Sequence, residues 1–198
     1  MTRTVDFFFD LSSPYSYLAA TQVDAAVARH GATARWRPVV LAAIFKAADN
    51  RMPAQSPPKA RYMLADLARW AARYGVPFAL NSRFPLNAMT AHRMICAART
   101  RHGDAAAARL ARALFDATWA ADRDITDAAV LTGLGDGAGL PGAALVAATQ
   151  EQAVKDALRA DTDEAIARGM FGAPTFVVGD ELFFGNDRID FVEAALAR

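Results

Sequence analysis

A chain of 198 residues with 54% hydrophobic and 22% charged side chains, 12 Gly and 9 Pro has the make-up of a folded globular protein and excludes disorder, collagen and coiled coil. The 22 basic and 21 acidic side chains leave a formal charge of +1, so no field of one sign draws in nucleic acid or an anionic membrane. The single cysteine, Cys96, can neither close an internal disulfide nor build a cysteine zinc site, which points to a reducing compartment. Residues 1–6 lack the basic-then-apolar pattern of a signal peptide, and no apolar run approaches the roughly 18 residues of a spanning helix. The expected location is cytoplasmic.

In chain order, residues 5–10 form a β-prone run that stops at Leu11-Ser12-Ser13-Pro14, a group suited to ending a strand and capping a helix. A helix is predicted over 14–30, with Tyr17, Leu18, Val23 and Val27 at helical spacing and Gly31 as its stop. Residues 33–40 alternate as a second strand, parallel to the first across that helix. From 41 to 168 the pattern is helical, broken by Pro-containing loops at 49–58 and 75–85. Helices are predicted at 59–74, 87–102, 104–121, 126–134 and, as two pieces, within 141–168. The glycine-rich run 133–139 reads as a loop, since it lacks the preceding strand and following Lys-Ser/Thr of a phosphate loop. Residues 175–178 and 181–184 form a hairpin across Gly179-Asp180, and a last helix over 187–197 is capped by Asn186 or Asp187.

This order, β-α-β, a helical block, then β-β-α, is that of an α/β protein with the thioredoxin fold. Its two parts, 1–40 and 169–198, flank a helical insertion domain at 41–168, because the strands on both sides must pair in one sheet.

Chemistry is expected where the first strand meets the first helix, at Ser13-Pro14-Tyr15-Ser16. A helix start stabilises an anion and lowers the pKa of a thiol brought there. Ser-Pro-x-Ser in the place of Cys-Pro-x-Cys keeps that geometry but excludes disulfide exchange, because a hydroxyl neither forms a disulfide nor ionises near neutrality. The Ser13 hydroxyl can instead donate to a thiolate carried by a bound small molecule. In Gly172-Ala173-Pro174-Thr175 a cis Pro174 would turn Ala173 toward the first helix, where its backbone can pair with a peptide-like ligand. In Phe184-Gly185-Asn186-Asp187-Arg188 the helix start suits a carboxylate and the aspartate an ammonium, as in the zwitterionic end of glutathione. Taken singly, the three stretches also read as an N-cap, a strand-entry proline and an ordinary Asn-Asp cap. His30, His92 and His102 have no partners at metal-ligand spacing, so no metal is assigned, and Cys96 reads as a buried small hydrophobe.

Together these stretches resemble the 2-hydroxychromene-2-carboxylate isomerases of aromatic catabolism, relatives of the kappa-class glutathione transferases in the DsbA-like group. The resemblance spans nearly the whole chain and rests on Val5-Asp6-Phe7-Phe8-Phe9-Asp10, Ser13-Pro14-Tyr15-Ser16-Tyr17-Leu18-Ala19, Asp66-Leu67-Ala68-Arg69-Trp70, Phe171-Gly172-Ala173-Pro174-Thr175 and the segment from Phe184 to Arg188. It implies a glutathione cofactor with its sulfur at Ser13, its backbone on Ala173 beside Pro174, and its γ-glutamyl end on Asn186 and Asp187. For the glycyl carboxylate it suggests Lys59, in Ser56-Pro57-Pro58-Lys59-Ala60, with help from Asn50. The implied reaction interconverts 2-hydroxychromene-2-carboxylate and trans-o-hydroxybenzylidenepyruvate by reversible thiolate addition, bond rotation and elimination. Arg83, Asn87 and Arg93 are candidates for holding the substrate's carboxylate and keto group. Ala173, where relatives often carry a bulky aliphatic residue, and Phe183 or Phe184, where they carry Trp, bear on substrate shape. The implied partners are a small aromatic carboxylate and a second copy of the chain. Two other functions fit the same stretches: a kappa-like glutathione transferase, and a non-catalytic thioredoxin-fold protein that binds peptides.

Overall fold

The computed structural model describes residues 3–198; Met1 and Thr2, where the first predicted segment begins, lie outside the described residues. Strand β1 (Thr4–Phe9) runs into helices α1 (Pro14–Ala20) and α2 (Val23–Ala28), then strand β2 (Thr33–Pro38). The helical stretch follows as α3 (Leu41–Ala47), α4 (Pro57–Tyr74), α5 (Met89–His102), α6 (Asp104–Trp119), α7 (Ala128–Gly137), α8 (Gly142–Ala148) and α9 (Gln152–Ala167). Strands β3 (Thr175–Val178) and β4 (Glu181–Phe184), a 3-10 turn (Asn186–Arg188) and helix α10 (Ile189–Leu196) close the chain. The sheet order is β2-β1-β3-β4, with β2 parallel to β1, β3 antiparallel to β1, and β4 antiparallel to β3.

From Val5 on, strand β1 is buried on both faces: Phe7, Phe8 and Phe9 in succession need apolar cover on each side, and Asp6 is met by Arg35. Phe7 and Phe9 point to one side. There Phe7 stacks on Phe176 at 5.2 Å and meets Trp36 edge-on at 5.0 Å, while Phe9 lies 5.3 Å from Phe115 of α6. That core continues through α1, α4, α5 and α6, so the sheet and the helices share it. Phe8 points to the other side, into a smaller cluster with Val39, Ile44, Ala165, Met170 and Val177. Arg37 lies over the Phe8 ring at 4.7 Å and holds Asp161 of α9 at 2.7 Å, tying that helix to the sheet.

Three expectations need correction. The helix predicted over 14–30 is two helices. The Gln22 N–H bonds three residues back to Ala19 and the Thr21 hydroxyl takes the Leu18 carbonyl, which tightens the last turn and ends α1 at Ala20. Most of the run 133–139 is helix and not loop: α7 continues to Gly137, and Gly135 permits close packing. A Cβ on buried Gly135 would stand 2.7 Å from the Gly142 Cα of α8 and 2.8 Å from Met94 Cε. The last helix begins at Ile189 without a side-chain cap, because Asn186 faces inward to Tyr74 and Asp187 pairs with Arg188.

Two measurements check this packing. Gly135→Ala is expected to destabilise the protein by about 1–3 kcal/mol through forced separation of α7 and α8, and Gly133→Ala, in open space on the same helix, to stabilise it by roughly 0.5–1 kcal/mol; urea unfolding of both variants reads the contrast. Glu164 is held down to about 2, from an ordinary 4.5, chiefly by its hydrogen bond from Arg37. A lowered folded-state pKa contributes stability that is fully present above 4.5 and lost as pH falls through about 2. Glu164→Gln should therefore flatten the fall in melting temperature across that window.

Candidate active site

The turn between β1 and α1 is built from its own polar groups. Buried Asp10 accepts from the Ser12 N–H at 2.8 Å, the Ser12 hydroxyl at 2.7 Å and the Leu41 N–H at 2.8 Å, and its carbonyl accepts the Ser13 N–H at 3.0 Å. The helical stretch holds the next residue: the Leu11 N–H donates to His92 Nε2 of α5 at 2.9 Å, and Trp119 Nε1 of α6 donates to the Leu11 carbonyl at 2.9 Å.

Ser13 follows in extended conformation as the N-cap of α1, accepting the Ser16 N–H at 3.2 Å. Its hydroxyl donates to the Ala173 carbonyl at 3.2 Å, across 160 residues of sequence, and the Ala173–Pro174 peptide is cis. The two stretches therefore face each other. The Ala173 carbonyl, expected to be free, is occupied by that hydroxyl. Among the described residues the N–H groups of Ala173 and Tyr15 have no acceptor. The Pro174 carbonyl accepts from the Gly185 N–H at 3.0 Å, and Asn50 Nδ2 donates to the Phe171 carbonyl at 3.0 Å. Gly172 has no room for a side chain: a Cβ would stand 2.5 Å from the Phe184 ring.

Helix α4 borders the site from the other side. Lys59, Tyr62, Asp66, Trp70 and Tyr74 recur every three or four residues, the spacing of one helix face. Asp66 accepts the Tyr15 hydroxyl at 2.9 Å; burial, then this carboxylate, raises the Tyr15 pKa. The Tyr74 hydroxyl donates to the Asn186 carbonyl at 3.0 Å and accepts from Asn186 Nδ2 at 3.3 Å. Burial, aided by the nearby Asp187 and opposed by the Asn186 hydrogen bond, raises the Tyr74 pKa. Asp187 itself is exposed, with Arg188 at 2.7 Å. Tyr15, Pro58, Lys59, Tyr62 and Met63 line an open cleft of about 400 Å³, and the exposed Lys59 has no carboxylate in ion-pair range among the described residues. A larger hollow of about 890 Å³ lies at the starts of β1 and β2, the end of the sheet away from Ser13.

The structure thus brings Ser13, Ala173 and Pro174 together, sets Asn50 against Phe171, and places Lys59 on the cleft beside Tyr15. Asn186 is turned inward as the anchor of its turn, leaving Asp187 as the outward member of the pair. Arg83 is taken by Asp124 at 3.0 Å and Asn87 accepts the Met89 N–H at 3.0 Å, so both serve local structure. Arg93 is half-buried, and its Nε has no hydrogen-bond partner among the described residues. Sequence reasoning missed Asp10, His92, Trp119, Asp66 and Tyr74. The three- and four-residue spacing along α4 was a usable signal for Asp66 and Tyr74; the His92 and Trp119 contacts span 81 and 108 residues and had none.

A thioredoxin sheet with a serine at the α1 start facing a cis-proline defines the class, and residues 4–197 match the model of the DSBA-like thioredoxin domain, the family to which this chain belongs. Within it, the chain is 35% identical over 198 residues to the 2-hydroxychromene-2-carboxylate isomerase of Sphingobium xenophagum, covering 99% of each protein. A solved structure of 2-hydroxychromene-2-carboxylate isomerase superposes with a TM-score of 0.88 at 29% identity, covering 98% of this chain and 95% of that one. Glutathione S-transferase kappa 1 of Rattus norvegicus is 27% identical, over 96% of this chain and 89% of its own.

Tyr74→Phe tests the α4 anchor. It leaves the Asn186 carbonyl and amide without their partner, and urea unfolding is expected to show a loss of about 1–3 kcal/mol.

Proposed function

We infer that this chain is a 2-hydroxychromene-2-carboxylate isomerase that works with glutathione bound between Ser13, Ala173 and the Asn186-Asp187 turn. The isomerase activity is supported by 35% identity spread over 99% of the Sphingobium xenophagum enzyme. The observation that carries the glutathione reading is the Ser13 hydroxyl on the Ala173 carbonyl, with unpaired N–H groups at Ala173 and Tyr15 beside it.

These groups fit a thiol tripeptide. The Ala173 N–H and carbonyl can pair with a peptide backbone as a strand edge does. When a ligand N–H takes that carbonyl, the Ser13 proton is released from it and can turn to a sulfur. The free Tyr15 N–H adds a second donor at the same helix start, so the charged form of a thiol is favoured there. Because α1 has only seven residues, these close donors outweigh any long-range helix field. Asp187 can meet the ammonium of the γ-glutamyl end and Lys59 the glycyl carboxylate, with Asn50 holding the loop against Phe171. The aromatic faces of Tyr15 and Tyr62 and the side chain of Met63 give the neighbouring cleft the character of a site for a flat aromatic acid. Bound glutathione supplies the nucleophilic sulfur whose reversible addition converts the conjugated double bond into a rotatable single bond. Cys96 has no part in this: it is buried, and burial pushes its thiol up to about 12.

A spectrophotometric assay of 2-hydroxychromene-2-carboxylate with and without glutathione tests the reading. Conversion is expected only with glutathione. Ser13→Ala is expected to lower kcat by roughly 10²-fold or more, the scale of losing one preorganised donor, and Asp187→Ala to raise the KM for glutathione with a smaller effect on kcat. An unchanged spectrum from a protein that binds glutathione would replace the isomerase with a kappa-like transferase; peptide binding without glutathione binding would replace both with a binding protein.

A further inference from the structure

Behind Ser13 lies a buried titratable pair that the proposed reaction does not use, Asp10 and His92. Asp10 already has three donors, from Ser12 and Leu41. His92 Nε2 lies 2.9 Å from the Leu11 nitrogen and 3.3 Å from Asp10 Oδ1. One ring nitrogen cannot accept from an amide and donate to a carboxylate at the same time. The contacts decide between the two forms. The buried Leu11 N–H has no other acceptor among the described residues, whereas Asp10 is satisfied without His92, so the neutral ring with its lone pair on Nε2 is the form that keeps both Leu11 and Asp10 paired.

Protonation inverts this arrangement. The imidazolium puts an N–H on Nε2, which makes an ion pair with Asp10 and removes the acceptor of Leu11. Leu11 is two residues from Ser13, in a turn otherwise held by the Asp10 carbonyl, Trp119 of α6 and Leu41 of α3. Among the described residues Asp10 is the charged group within ion-pair range of His92; from α6 the facing polar group is the Trp119 indole, which is taken by Leu11. On α5 itself, Arg99 is paired with Asp161, Cys96 is buried, and Arg93 has no carboxylate within ion-pair range among the described residues.

We propose that His92 is a positioning residue for Ser13: the neutral ring holds the Leu11 N–H and with it the Asp10-to-Ser13 turn, and protonation releases the turn and weakens ligand binding at Ser13. This rests on the reading that Ser13 meets the glutathione sulfur. It is tested with wild type, His92→Gln, whose Oε1 can accept from Leu11 but not protonate, and His92→Phe, which has no acceptor. The first readout is the Leu11 amide resonance in 15N-labelled protein between about pH 8 and pH 5, followed beside the ring resonances of His92. The second is calorimetric affinity for S-methylglutathione, which has no thiol proton to titrate. In wild type the Leu11 amide should shift with the midpoint of the His92 ring, and affinity should fall roughly tenfold on acidification. In His92→Gln both should be flat across that range, and His92→Phe should bind weakly at every pH. If His92→Phe does not fold, the contrast between wild type and His92→Gln decides alone. A Leu11 amide that ignores the His92 titration, or a His92→Gln variant with the wild-type pH dependence, overturns the proposal. Binding whose affinity is independent of pH in wild type overturns the His92 role alone, while a folded wild type that binds neither glutathione nor its S-methyl form overturns the Ser13 reading together with it.

Discussion

Strand β1 lies between a parallel partner and an antiparallel one, and the site follows from that double pairing. Its apolar residues need cover on both faces, and both its edges need hydrogen-bond partners. β2 supplies one edge at once, through the α1–α2 crossover. β3 supplies the other only after the chain has run through seven helices, with Phe7 opposite Phe176 and Phe8 opposite Thr175. That register carries Ala173, two residues before β3, past the end of β1 to the point where Ser13 opens α1. The Ser13–Ala173 hydrogen bond is a consequence of that register.

The long helical stretch does more than cover the sheet. Four of its side chains reach the segments that carry the site: His92 and Trp119 hold Leu11, Asp66 holds Tyr15 at the start of α1, and Tyr74 holds Asn186. The loops themselves are short and polar, with local hydrogen bonds, and such segments alone have several conformations of similar energy. Contacts from rigid helices narrow that choice. On the opposite face the buried Arg37 guanidinium, shared between Asp161 and Glu164, binds α9 to the sheet by charge rather than apolar contact alone. The candidate site and this ionic cluster lie on different sides of β1.

The chemistry that remains after cysteine is removed is also clear. A hydroxyl at the α1 start cannot exchange disulfides, but it can donate, and two unpaired amides lie beside it. Such a site has no nucleophile of its own at neutral pH. In the proposed reading it takes a sulfur that arrives with its ligand, whose charged ends would meet the exposed Asp187 and Lys59.

Residue order alone determined the arrangement of strands, most helix positions and the three candidate stretches, two of which meet at Ser13, because strand alternation, helical spacing, Pro14, Pro174 and the Gly179-Asp180 turn are local signals. Ser13 and Ala173 could be paired from the fold they imply. The break at Thr21-Gln22 was not legible, since it depends on a hydroxyl turning back to its own helix, and the helical path through Gly133 to Gly137 was misread because glycine's weak local preference was overridden by close packing on Gly142. Asn186 has the residue type of a helix cap, but Tyr74 holds it inward. Only the tertiary structure decided which polar groups are occupied and which are free: Arg83 by Asp124, Asn186 by Tyr74, Leu11 by His92, with Lys59 without an ion-pair partner among the described residues. Hydrogen bonds and ion pairs between residues far apart in the chain leave no periodic trace in it, so their partners are set by the packing of the elements that carry them.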